Sequence, residues 1–126
     1  MKITKKSLYA IMSCAYISKF TTPVSSKEIA QACGTSVEFI NLILADLRNN
    51  QILQTIRGPG GGYSLKKPIQ YITVLDIFSA LSEKIGQNEL QLDEANNKDL
   101  YKIAQNLSKN TINLYNNLTI KQLLEG

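Results

Sequence analysis

The 126-residue chain contains no histidine and only two cysteines, Cys14 and Cys33. Without an imidazole there is no serine–histidine or cysteine–histidine nucleophile pair. An ordinary zinc site, which needs about four cysteine or histidine ligands, cannot be assembled either. Two thiols in segments of helical periodicity do not make a disulfide framework. The acidic residues are scattered, with no spacing that nominates a general acid and base, so an enzyme is the weakest reading. No apolar run approaches the roughly 18 residues of a membrane span. Lysines do precede an apolar stretch in the opening MKITKKSLYAIMSCAYISKF, as in a signal peptide. Tyr9, Ser13, Tyr16, Ser18 and Lys19 interrupt that stretch and no small-residue cleavage site follows, so the sequence reads as cytoplasmic, without membrane attachment.

Hydrophobic residues at 44 % and charged ones at 19 % place the chain among globular domains, long enough for one core without covalent staples. Its charge is uneven. Met1 to Pro68 carries nine Lys/Arg against three acids, whereas Ile69 onward carries five Lys against seven acids. A basic front half suits a polyanionic partner. Surface lysines are more often merely solvated, so the asymmetry needs a motif beside it.

From Lys6 to Phe20, apolar residues at 8, 11, 12, 15 and 16 follow the rhythm of an amphipathic helix. After TTP, Ser25 with Glu28 forms a capping-box pattern, predicting a second helix over 26–33 that buries Ile29, Ala30 and either Ala32 or Cys33. Gly34 is placed to end it in a left-handed conformation. Ser36 then caps a third helix, about 37–49, with Val37, Ile40, Ile43 or Leu44, and Leu47 inward. Glu38, Asn41, Leu42, Ala45, Arg48 and Asn49 fall outward. Two short helices across such a turn make a helix-turn-helix, and that polar outer face suits a DNA major groove. Helical pairs also occur in proteins that never meet DNA.

ILQTI and YSLKKP flank the glycine-rich RGPGGG and read as strands. Between them no Lys-Ser/Thr pair opens a helix, which excludes a P-loop, and the GxGxxG register would need glycine where Tyr63 stands. A flexible linker is open, but a hairpin tip fits best, with Pro59 stiffening one corner. A hairpin after a helix-turn-helix is a wing. Arg57 would lie in a narrow minor groove, with Lys66 and Lys67 near phosphates; the plainer alternative is a solvated arginine beside a turn. Farther on, Thr73 and Asp76 cap a fourth helix, VLDIFSALSEKI, with Val74, Ile77, Phe78 and Leu81 on one face. A polar loop follows. Then Leu100, Ile103, Ala104, Leu107, Thr111, Leu114 and Leu118 trace a near-heptad stripe on a long helix, about 97–116, best buried against a second copy. Thr119 caps a last short turn.

The blocks SLYA, PVSSKEIA, LRNNQILQTIRGPGGGYSLKKP, ITVLDIFSAL and YNNLTIKQLL resemble the Rrf2 family of bacterial winged helix-turn-helix regulators over nearly the whole chain. The expected fold is therefore mainly α with a small β-hairpin. It would comprise a DNA-binding domain over 1–83, a loop over 84–96 and a dimerisation helix with a terminal turn over 97–126. The resemblance implies a homodimeric repressor on an imperfect palindrome of double-stranded DNA. It sets Glu38, Phe39 and Asn41 at recognition-helix positions and Arg57 at the wing arginine, with Lys5, Ser26, Ser36, Arg48, Gly58, Gly60, Gly61 and Lys66 completing the candidate contacts. Where some relatives carry a discriminating glutamate this chain has Asn41, whose amide pairs well with adenine.

Many members hold an iron–sulfur cluster through three cysteines in the loop before the long helix. Here that loop has neither cysteine nor histidine, and Leu8 stands near the position of an acidic ligand in some relatives. The chain thus resembles a cluster-free branch without a cofactor, answering to a small-molecule or protein effector. Cys33, beside the turn, is a candidate redox thiol. A small buried packing residue is the commoner role for such a cysteine. A winged-helix module that docks a protein is the alternative to DNA binding.

Overall fold

The computed structural model describes residues 3–81 and 98–126. Helix α1 (Lys5–Ile17) begins at a reciprocal capping box in which Thr4 and Ser7 satisfy each other's backbone amides. Its burial differs from the expected stripe. Leu8 and Met12 are exposed, and the inward face is Ser7, Ala10, Ser13, Cys14, Ala15 and Ile17. Small residues let neighbouring helices approach closely, and the two buried serines cost little because each bonds locally: Ser7 Oγ donates to the Thr4 carbonyl at 2.8 Å and Ser13 Oγ to that of Tyr9 at 2.7 Å. The helix also stops at Ile17, short of Phe20.

Helices α2 (Ser26–Cys33) and α3 (Val37–Asn49) form the helix-turn-helix. Gly34, at φ +74°, ends α2 in the left-handed conformation expected of it. Ser25 and Ser36 cap the two helices through their hydroxyls, but the box at α2 is not reciprocal. The Glu28 carboxylate instead accepts from Tyr16 Oη at 2.9 Å, tying α2 to α1. Ile29, Ala30 and Cys33 are buried and Ala32 is exposed. Ile40, Ile43, Leu44 and Leu47 supply α3's fully buried stripe.

Strands β1 (Leu53–Ile56) and β2 (Gly62–Leu65) pair antiparallel, Leu53 opposite Leu65 and Ile56 opposite Gly62. A pairing not legible locally joins this hairpin to the start of α2. Val24 and Tyr63 exchange both backbone hydrogen bonds, at 2.9 and 2.7 Å. After a short 3₁₀ turn, α4 (Val74–Ala80) starts at the Thr73–Asp76 capping box and buries Val74, Ile77 and Phe78, with Leu81 following.

Helix α5 (Lys98–Asn117) lies on α4, where Tyr115 meets Phe78 edge to face at 5.1 Å. Thr119 caps α6 (Ile120–Glu125) through a further reciprocal box. A second pairing returns this end of the chain to the core. The Val74 amide donates to the Leu118 carbonyl at 2.8 Å and that of Ile120 to Ile72 at 3.0 Å, so Ile120 is fully buried. The expected loop at 84–96 and the last turn of the expected fourth helix lie outside the described residues.

Candidate nucleic-acid interface

At 3.6 residues per turn, burying 40, 43, 44 and 47 forces Glu38, Leu42, Ala45 and Asn49 to the opposite crest of α3 and Asn41 and Arg48 to one flank. Glu38, Asn41, Leu42, Arg48 and Asn49 are exposed. Phe39 is not on that open face. It is half-buried on the other flank, its ring edge-on to Tyr9 at 5.5 Å, because that flank is where α1 packs. Lys6 pairs with Asp46 at 3.0 Å on the same side. Ser36 is exposed but its hydroxyl caps α3, and Ser26 is half-buried at the first position of α2.

The wing tip is a tight turn in which the Gly61 amide donates to the Gly58 carbonyl at 2.9 Å. Pro59 occupies its second position and Gly60, at φ +75°, its third, the residue order of a type II turn. Gly61 and Gly62 are small for a different reason, close packing. A Cβ on Gly61 would meet the Ile56 carbonyl oxygen at 2.1 Å, and one on Gly62 the Val24 carbonyl oxygen at 2.4 Å. The tip therefore presents backbone and one basic side chain. Arg57 is exposed and makes no ion pair or side-chain hydrogen bond among the described residues, and the same holds for Arg48 and Lys5.

The two lysines behind the wing are engaged differently from this. Lys66 Nζ bonds the Gln51 side chain. Lys67 Nζ bonds Asp76 at 3.1 Å, and Asp76 also accepts from the Thr73 amide at 3.0 Å. Burial would raise the Asp76 pKa, but the Thr73 amide and the Lys67 ammonium outweigh it and hold the carboxyl below its usual range. Lys67 is thus a strut between wing and α4.

The thiols are placed unfavourably for reactivity. Cys14 is fully buried and its pKa is pushed up to about 12. Burial also raises Cys33, opposed by a contact with Ser13 Oγ at 3.8 Å. A redox thiol beside the turn would need a lowered value, and Cys33 has the opposite shift because the thiol points into the α1–α2 packing.

The sequence model of the Rrf2 family, described as an iron-dependent transcriptional regulator, matches residues 3–126. The chain belongs to the Rrf2 family. Curated relatives of this Rrf2 protein include the HTH-type transcriptional regulator IscR of Klebsiella pneumoniae strain 342, 29 % identical over all of this chain and 81 % of the relative. IscR of Escherichia coli HS is 28 % identical over the whole chain and 82 % of its own length. Among solved structures, CymR, the global cysteine regulator of Bacillus subtilis, superposes with a TM-score of 0.76 at 26 % identity, covering 99 % of this chain and 97 % of that one. A transcriptional regulator from Listeria innocua reaches 0.77 at 28 % identity over 99 % and 87 %. The Rrf2 chain is accordingly a helix-turn-helix, DNA-binding transcriptional regulator and not an enzyme. None of its described helices is long and apolar enough to cross a membrane.

Proposed function

We propose that the protein is a homodimeric repressor that binds an imperfect palindrome through the outer face of α3 and the glycine wing. The observation that carries this reading is the set of unpaired side chains on the two DNA-facing candidates. Arg48 and Asn41 on α3 and Arg57 on the wing have no intramolecular partner among the described residues. The wing is fixed to both ends of the helix-turn-helix, through Val24 ahead of α2 and through the Ile52 amide, which donates to the Leu47 carbonyl at 3.0 Å after α3. Phosphate contacts then come from Lys5, Ser26, Ser36, Lys66 and the amides of Gly58 and Gly60, with Gly61, whose amide closes the turn, letting the backbone approach.

Dimerisation is supported by α5. Ile103, Leu107 and Leu114 recur on one side of it and are all more than half exposed in the single chain. Covering that stripe with its own copy removes it from water. The domain division in this reading gives residues up to 83 to DNA, 84–96 to a connection and 97–126 to pairing the subunits in the cytoplasm, with Leu118 and Ile120 of that last part also anchored to the core.

Regulation proceeds without an iron–sulfur cluster. A cluster takes convergent thiolates or imidazoles, and this chain has no histidine and two thiols, both built into the packing of α1 and α2. Among the described residues no group of three or more Cys, Asp and Glu is arranged to hold a metal ion. A small-molecule or protein effector therefore sets the affinity.

Selection of bound duplexes from a randomised library, followed by titration at several salt concentrations, tests the reading. A palindromic consensus and a steep fall of affinity with salt are expected. A protein-docking module would give no consensus and little salt response. Iron analysis of anaerobically purified protein tests the cluster-free assignment, and visible charge-transfer absorption would refute it.

A further inference from the structure

Leu42 is 65 % exposed at the crest of α3, on a face otherwise made of charged, amide and small side chains. It lies one turn after Glu38, with half-exposed Ala45 following, so nothing bulky shields it along the helix. Packing does not account for it, because the buried stripe runs along the opposite side. Asn41, by contrast, lies toward the flank shared with Arg48. A crest position on a helix inserted in a major groove reaches nearest the base edges, and the one apolar feature there is the 5-methyl group of thymine.

We infer that Leu42 is a specificity-determining residue that reads a thymine 5-methyl group in each half-site, beside an adenine contacted by Asn41. The inference rests on the proposal that α3 enters the major groove. It commits Leu42 to DNA, and not to a second copy or a protein partner, because Arg48 on a flank of the same helix and Arg57 on the wing, both exposed and unpaired among the described residues, are complementary to a polyanion. Leucine supplies contact without a polar group that desolvation would penalise. It therefore favours thymine over cytosine at the contacted position, and over uracil by the methyl alone.

The test is a thymine-to-uracil scan of the operator selected from the randomised library, with the full-length protein and its Leu42→Ala and Leu42→Met variants. For the unmodified protein, uracil at one or two positions per half-site should weaken binding roughly fourfold, the weight of one buried methyl group. Leu42→Ala should bind the thymine operator several-fold more weakly and become indifferent to uracil there, whereas Leu42→Met should retain the penalty. Because the side chain is outside the core, circular dichroism and urea midpoints of both variants should match the parent. A flat scan with intact operator binding overturns this inference alone, as does a uracil penalty that survives Leu42→Ala, or a change of oligomeric state in its place. Absence of operator binding by the unmodified protein overturns the interface reading and this inference with it.

Discussion

Replacing Gly62 by alanine should damage the wing more than replacing Gly60, although both are wing glycines with positive φ. At Gly60 an added methyl meets nothing within 4 Å, and only the left-handed backbone at φ +75° is penalised, by about 1–2 kcal/mol. At Gly62 the methyl would stand 2.4 Å from the Val24 carbonyl oxygen, 2.5 Å from its carbon and 2.9 Å from the Ser25 amide nitrogen. All three are backbone atoms, so no side chain can swing aside. The Val24–Tyr63 bridge has to open, with two hydrogen bonds of net ~1 kcal/mol each, and φ +149° adds strain of about 1–3 kcal/mol. The expected loss is therefore about 3–5 kcal/mol, a large part of the 5–15 kcal/mol that holds a domain together. Urea unfolding followed by circular dichroism measures it. Equal midpoints for the Gly60→Ala and Gly62→Ala variants would refute the close-approach reasoning.

Asn41→Ala should change which operator is preferred in a library selection, while Arg57→Ala should weaken every site with a narrow minor groove; unchanged preference in the first variant counts against Asn41 as a base reader. Asp76 titrates below its usual range when folded, so it stabilises the protein above the usual aspartate value of 3.8 and loses that contribution as pH falls through the folded value. Unfolding midpoints measured from about pH 4 downward should fall less steeply in Asp76→Asn than in the parent. Cys14 has the opposite sign: its pKa rises from 9.0 to about 12 on folding, so the stability it confers is complete below pH 9 and is lost progressively up to about pH 12. Cys14→Ala should flatten that alkaline decline. Neither thiol should react with an aromatic disulfide at neutral pH until urea is added, and rapid labelling of Cys33 in the native protein would revive it as a redox site.

What could be read from the sequence was local. Ser25, Ser36, Thr73 and Thr119 each announce a helix start because a hydroxyl three residues ahead of an amide is a short-range signal, and all four cap as expected. RGPGGG between two β-rich runs likewise determines its own turn. Two kinds of information were not local. Periodicity finds the apolar side of α1 but not which side is buried, and the interior chose Ala10, Ser13 and Cys14 for their size over Leu8 and Met12. The Val24–Tyr63 and Thr73–Thr119 pairings depend on backbone amides, which leave no side-chain pattern. Phe39 shows the same limit at the candidate interface, since its neighbour Tyr9 is far away in sequence.

The return of Ile120 to the core bears on how the gene tolerates truncation. A stop codon after the last residue of α5 would spare every side chain assigned to DNA, yet it would leave the Ile72 carbonyl and the Val74 amide without their partners and uncover the floor beneath Ile120. Late nonsense mutations should therefore behave as folding lesions, with low protein abundance, and not as regulators that bind their operator but ignore their signal.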